Sequence, residues 1–165
     1  MLAIDGAVPA PALPEGVEIV SLADRPELFR RTYTDLALEA FEDMPTATAI
    51  SVSFEDWQRE SLPWPEASFV ALAGGELVGC AGLMRDHDSP DGAEHSLTAV
   101  CREWRRRGVG RALKQRTIAW AAAHGLREVY TWTQRGNDDM RRLNEHLGYV
   151  TRSESISLQA ELPLR

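Results

Sequence analysis

Cysteine, lysine and long apolar runs are what this sequence has least of. Two cysteines in 165 residues, Cys80 and Cys101, are too few for a disulfide framework and too isolated for a Cys/His metal cluster. No resident metal is therefore expected, and the thiols suit a reducing, cytoplasmic compartment. No apolar run approaches the ~18 residues of a spanning helix, so no membrane partner is expected. Met1 to Pro14 is rich in Ala and Pro, without the basic start of a secretory leader, and is expected to be a flexible arm. Lys114 is the only lysine. It does not stand at the spacing of a Gly-x-x-x-x-Gly-Lys-Ser/Thr phosphate loop, and no Ser or Thr follows it. A formal net charge of −7 argues against nonspecific nucleic-acid binding and suits a cationic substrate.

What remains fits one compact domain over residues 15–165. Val17–Ser21 alternates as a short strand. Asp24 and Pro26 mark the start of a helix that runs to about Asp43 and stops before Pro45. Ser53 with Asp56 has the spacing of a capping box for a second, short helix. Ser68–Ala73 and Glu76–Arg85 flank Gly74-Gly75, a hairpin pattern. Asp86 to Gly92 reads as a loop and Glu94–Cys101 as another strand. Gly108–His124 reads as a helix stopped by Gly125, and Glu128–Gln134 as a strand. Asn137–Leu147 reads as a helix ended by Gly148, and Tyr149–Leu162 as a final strand. The order β-α-α-β-β-β-α-β-α-β is that of a mixed α/β, or α+β, domain.

The chemically loaded stretch is Val100 to Leu113, where a strand ends, an arginine-rich loop follows and two glycines open a helix. Backbone N–H groups at a helix start attract anions, and Gly108 and Gly110 let a diphosphate approach the backbone. Arg105, Arg106, Arg107 and Arg111 add positive charge. A dinucleotide fingerprint fails for want of a third glycine, since position 113 is Leu. A solvated arginine run beside an ordinary turn is the bland alternative. In the later helix, Asn137, Arg141 and Asn144 share one side, while Met140, Leu143 and Leu147 form an adjacent apolar stripe. Asn137 suits a helix cap as well as a ligand contact.

Arg105-x-x-Gly108-x-Gly110, followed by the helix that ends in Leu147-Gly148-Tyr149, resembles the signature of the Gcn5-related N-acetyltransferase (GNAT) superfamily. The resemblance covers roughly residues 17–162, and before Ser68 it rests on element order alone. In detail the pattern is similar to the tandem-domain branch that includes the mycothiol synthases. The resemblance implies a mixed, mostly antiparallel sheet of about six to seven strands with about four helices, splayed between the fourth and fifth strands. It implies acetyl-CoA as co-substrate, held by Thr98, Ala99 and Val100 along the strand. Arg105, Arg106, Arg107, Gly108, Val109, Gly110 and Arg111 then hold the pyrophosphate, and Asn137 and Asn144 complete the contacts. A backbone N–H near Val100 polarises the thioester carbonyl in this reading.

The implied reaction moves an acetyl group to a primary amine of a small molecule or peptide, which needs a base. Glu94 is the candidate, placed on one face with Ser96, Thr98 and Val100 if the strand is regular. His95, on the opposite face, is the runner-up. Asp86, His87, Asp88 and Asp91 are near enough in sequence to reach the cleft mouth. Relatives place a tyrosine where this chain has Asn144, so the leaving thiolate lacks its usual acid. Tyr149, Tyr33 and Tyr130 remain open as donors, with Tyr149 reading as core. That gap motivates an alternative, a non-catalytic acyl-CoA-binding module. Trp57, Trp64 and Phe41 either line an acceptor pocket or pack, Trp104 anchors the loop, and Trp120 and Trp132 read as core. Exposed sheet edges make a homodimer a further expectation.

Overall fold

The computed structural model describes residues 1–156 except 7, 10, 47–49, 61–63 and 87. His87, and residues 157–162 of the expected final strand, therefore lie outside the described residues. The Gly-Gly hairpin forms as its sequence dictates. Gly74 and Gly75 adopt φ 57° and 85°, and join β3 (Ser68–Ala73) to β4 (Glu76–Arg85) in antiparallel register. Around this pair a six-stranded sheet assembles from β1 (Leu2–Ala3), β2 (Val17–Ser21), β5 (Gly92–Val100) and β6 (Glu128–Tyr130). The spatial order is β1-β6-β5-β4-β3-β2, and only β5 and β6 pair in parallel.

Among the described residues the flanking helical segments are α1 (Phe29–Arg31), α2 (Leu38–Asp43), α3 (Phe54–Glu60), α4 (Val109–Ala123) and α5 (Asp138–His146). A 3-10 turn (Pro26–Leu28) leads into α1, and a π-type stretch (Thr32–Ala37) joins α1 to α2, so residues 26–43 form one continuous helical run. Asp24 does not cap it; Arg25 precedes the first turn and no side chain caps it. Ser53 and Asp56 do bond as neighbours at the start of α3: the Asp56 N–H donates to Ser53 Oγ at 3.1 Å and the Ser53 hydroxyl donates to the Asp56 carboxylate at 2.8 Å, half of the expected box.

The helical run and α3 bury Leu28, Leu36 and Trp57 against Val70, Leu72, Cys80 and Ala99 of the sheet. α4 packs Val109 and Leu113 on Phe69, Ala71 and Ala81, and Ile118 and Ala121 on Leu83, Ala93 and Val129. The close approach of α4 depends on Gly79. A Cβ there meets the Ala99 carbonyl oxygen and Leu113 Cδ1, each at 3.0 Å.

Three expectations need correction. The arm is held at its start: Leu2 and Ala3 pair with Val129 and Glu128, and the Ile4 N–H donates to the Arg127 carbonyl at 2.8 Å. Residues 151–156 form no strand, and Val150 exchanges two backbone bonds with Met1. Finally, β5 is not regular. Ala81 faces Thr98 while Leu83 faces His95, so Ser96 and Leu97 stand opposite Gly82 alone, a β-bulge. The extra residue reverses the alternation. Glu94 lies opposite Met84 and Ala99 opposite Cys80, so Glu94 shares a face with Ala99, not with Thr98 and Val100.

Candidate active site

The end of β5 and the start of α4 build the first half of the site. After Val100, a 3-10 turn (Arg102–Trp104) leads to Arg106 at φ 60° and Gly108 at φ 87°. Arg106 is the only non-glycine with positive φ among the described residues, a backbone state costing ~1–3 kcal/mol that concentrates at functional loops. The first helical bond of α4 runs from the Ala112 N–H to the Gly108 carbonyl at 3.0 Å, so the N–H groups of Val109, Gly110 and Arg111 lie ahead of it. No side chain caps this end and no acid stands in its first turn. It therefore carries the helix dipole's positive end uncompensated, which suits an anion. A Cβ on Gly110 meets only ordinary contacts, Val100 Cγ2 at 3.5 Å and Leu143 Cδ2 at 3.7 Å. Internal packing therefore does not require glycine there.

The four arginines of the expected anion site divide. Arg106 and Arg111 are exposed, and Arg107 lies 4.9 Å from the centroid of the Trp104 ring, so that tryptophan does anchor the loop. Arg105 turns away, to Asp43 (2.7 Å) and Glu39 (3.3 Å) of α2, and its Nε donates to the Val100 carbonyl at 2.9 Å. Its guanidinium is thus engaged by protein groups, for which the loop's charge run held no signal. The Val109 and Ala99 side chains are buried, so only their backbone is open to a ligand role.

Glu94 is half-buried at the other end of β5, opposite Tyr130 in the parallel β5–β6 register. Burial first, then hydrogen bonding to the Glu94 carboxylate and the charges of Glu94, Asp86 and Asp88, push the Tyr130 phenol well above its ordinary range. Tyr130 is therefore held protonated beside Glu94, and Glu94, Asp86 and Asp88 form an acidic patch around it. The pairing was invisible without the strand register. β5 and β6 pair only through Gly92, Ala93 and Glu94, while β5 runs on to Val100, so its later edge is unpaired with β6.

His95, the runner-up base, is 4% exposed on the core side. Its Nε2 lies 2.6 Å from the Tyr149 hydroxyl, and burial, reinforced by nearby Lys114, holds it neutral, well below the usual imidazole range. Tyr149 is buried in the core, as its sequence context suggested.

α5 supplies the remaining candidates. Asn137 caps the helix, its Oδ1 accepting the Met140 N–H at 3.2 Å. Asn144 is 6% exposed; its Nδ2 donates to Thr133 Oγ1 at 3.0 Å, and its Oδ1 is buried without a partner. Ser96 Oγ and Thr98 Oγ1 on the bulged strand are likewise buried and unpartnered. An unmet buried polar atom costs about 1–3 kcal/mol, so these three, with His95 Nδ1 on the same strand as a fourth, fit a polar ligand group or ordered water better than a dry core. Asn144 also lines a cavity of 770 Å³ beside residues 130–136. Trp132 lines that cavity and is 59% exposed, against the expectation of core, because β6 ends at Tyr130, two residues before it. A second cavity of 510 Å³ is walled by Tyr33, Phe41, Glu42 and Met44 of the N-terminal helical region. Trp57, by contrast, is packing: it is 1% exposed and its Nε1 donates to Thr32 Oγ1 at 3.3 Å. Trp64 packs edge-on against Trp120, their centroids 4.7 Å apart. No helix among the described residues is long and apolar enough to cross a membrane.

A family profile described as "Acetyltransferase (GNAT) family" matches residues 27–149. A curated mycothiol acetyltransferase from Thermobispora bispora is 32% identical over 151 residues, which cover 87% of this chain and 50% of the relative. The chain thus spans about half the length of that relative. Among solved structures, a GCN5-related N-acetyltransferase from Sphaerobacter thermophilus superposes with a TM-score of 0.70 at 25% identity, over 89% of this chain and 45% of that one. Diaminobutyrate acetyltransferase from Paenibacillus lautus, solved with L-2,4-diaminobutyric acid and coenzyme A, gives a TM-score of 0.59 at 23% identity, over 83% and 75% of the two chains. At that identity the likeness speaks for the fold.

Proposed function

Because the chain belongs to the GNAT acetyltransferase family, we propose that it is an N-acetyltransferase that passes an acetyl group from acetyl-CoA directly to a primary amine of a small molecule or peptide. The observation that carries this reading is the start of α4: open N–H groups, no acid, no cap, and Arg106, Arg107 and Arg111 alongside. That is a binding site for a diphosphate. Acetyl-CoA supplies the activated thioester.

The chain's own residues do the rest. The backbone N–H groups of Val109, Gly110 and Arg111, with Arg106, Arg107 and Arg111 side chains, hold the pyrophosphate. The unpaired edge of β5 at Thr98–Val100 takes the pantetheine as an added strand. The Val100 N–H polarises the thioester carbonyl. Asn137 and Asn144 fix the donor from α5. Glu94, directly or through water, takes a proton from the acceptor's ammonium, which at its ordinary pKa of ~10.4 is no nucleophile near neutrality. As the C–N bond forms and the C–S bond breaks, the thiolate departs with hydrogen bonding from the Asn144 amide and is protonated by water. The acidic patch of Glu94, Asp86 and Asp88 favours a cationic acceptor.

The test is free-thiol release from acetyl-CoA with a panel of primary amines. Wild type is expected to release coenzyme A with at least one amine. Glu94→Gln is expected to lose about 10²–10⁴-fold in kcat near pH 7 while still binding acetyl-CoA, and to recover as rising pH deprotonates the amine. Binding without release for any amine overturns the enzyme in favour of an acyl-CoA-binding module.

A further inference from the structure

The loop ahead of α4 is tied to α2 by more than contact. The α2 segment carries Glu39 in its first turn and ends in Glu42 and Asp43 with no basic residue in its last turn, an unfavourable arrangement for those two at the negative end of a helix dipole. The compensating cations come from the loop. Arg102 reaches Asp43 at 2.7 Å and Glu42 at 3.1 Å, and its backbone N–H donates to Glu39 Oε1 at 2.8 Å. Arg105 reaches Asp43 and Glu39, and it alone also bonds the Val100 carbonyl. The Cys101 N–H donates to the Val78 carbonyl on β4. Alternation along an antiparallel strand therefore turns the Val100 N–H and carbonyl to the other edge, which β6 leaves unpaired beyond Tyr130.

We infer that Glu39, Glu42 and Asp43 with Arg102 and Arg105 form a clasp that positions the acyl donor, in which Arg105 takes up the Val100 carbonyl so that the strand end offers its N–H alone. This rests on the reading of the α4 start as the acetyl-CoA site. Arg105 is then a positioning residue and not a phosphate ligand. A thioester or amide carbonyl needs a donor at this edge; an unoccupied Val100 carbonyl beside it repels. The other half of the clasp holds the loop at the distance from α2 that α4 requires.

The two roles for Arg105 predict opposite signs for one substitution. Asp43→Asn removes a negative charge near a polyanion, which by electrostatics alone tightens coenzyme A. A phosphate-ligating Arg105, freed from Asp43, also tightens it. The clasp predicts weaker binding, by about 3- to 10-fold, and about 10-fold for Arg105→Met, with the acceptor KM unchanged. The experiment is calorimetric titration of coenzyme A into wild type, Asp43→Asn and Arg105→Met. It is paired with amide hydrogen exchange, where an unchanged β3–β4 hairpin certifies the fold. Weaker binding by both variants, with faster exchange over residues 100–107, supports the clasp. Equal or tighter binding by Asp43→Asn overturns it and leaves the acetyltransferase reading intact. If wild type binds no coenzyme A, the functional reading fails by itself. The clasp is then decided by exchange alone: faster loop exchange in both variants upholds it, and unchanged exchange overturns it.

Discussion

Replacing Lys114 by methionine is expected to stabilise the protein near neutral pH, and by an amount that shrinks as pH rises. The only lysine of the chain is 1% exposed on α4, its Nζ 5.3 Å from the centroid of the Tyr149 ring. Its other charged-type neighbour, His95, is neutral. Burial alone pushes the amine down to about 7. In the unfolded chain the same amine titrates at ~10.4, so between those values the unfolded state binds more protons and stability rises with pH. At pH 7 the gap of ~3.4 units, at ~1.4 kcal/mol each, sets an upper bound of ~4 kcal/mol on the cost of burying the amine; at pH 9 only ~2 kcal/mol remains. Methionine fills similar volume and carries no such cost. Urea unfolding of wild type and Lys114→Met at both pH values should therefore show the advantage of the variant falling by ~2 kcal/mol between them. Burial raises the Cys80 thiol to about 12, which acts in the opposite direction but equally in both proteins, so it cancels in the difference. A difference that stays constant with pH, or a variant less stable at both, refutes the argument and means the ammonium is charged and satisfied by hydrogen bonds.

Gly79→Ala is expected to cost ~1–3 kcal/mol by overpacking, because the new methyl group meets the rigid Ala99 carbonyl and Leu113 at 3.0 Å; thermal unfolding reads this as a loss of several degrees. The Asp43 carboxyl, held at about 2 by hydrogen bonds from Arg102 and Arg105, contributes stability that is complete above its unfolded value of ~3.9 and lost as pH falls through the folded one. A carboxyl NMR titration of Asp43 should find a midpoint near 2 in wild type; a midpoint near 4 denies the ion pairs.

Much of this fold was legible because its signals are local. Gly74-Gly75 between two apolar runs, Gly125 and Gly148 behind two amphipathic stretches, and Ser53 three residues before Asp56 each act within a few residues. The anion-binding turn was legible for the same reason, since two glycines and the arginines stand next to one another. What escaped depends on partners distant in sequence. Arg105 reads as a phosphate ligand until Asp43 and Glu39, some sixty residues earlier, are seen to hold it. The bulge at Ser96–Leu97 leaves no mark on an alternating strand, yet it moves Glu94 to the face of Ala99. Trp132 reads as core from its β-rich surroundings, but the sheet stops two residues before it. The arm has a loop's composition, and only the open edge of β6 gives Leu2 and Ala3 a place to pair.

The central claim is that the start of α4 binds the diphosphate of acetyl-CoA, and calorimetric titration of acetyl-CoA into wild type and Gly108→Glu tests it most directly. The substitution places a carboxylate where the pyrophosphate belongs, at a residue whose φ of 87° also favours glycine, so circular dichroism must first show that the variant folds. Binding by wild type that a folded Gly108→Glu loses is the predicted result. Equal binding by both proteins contradicts it.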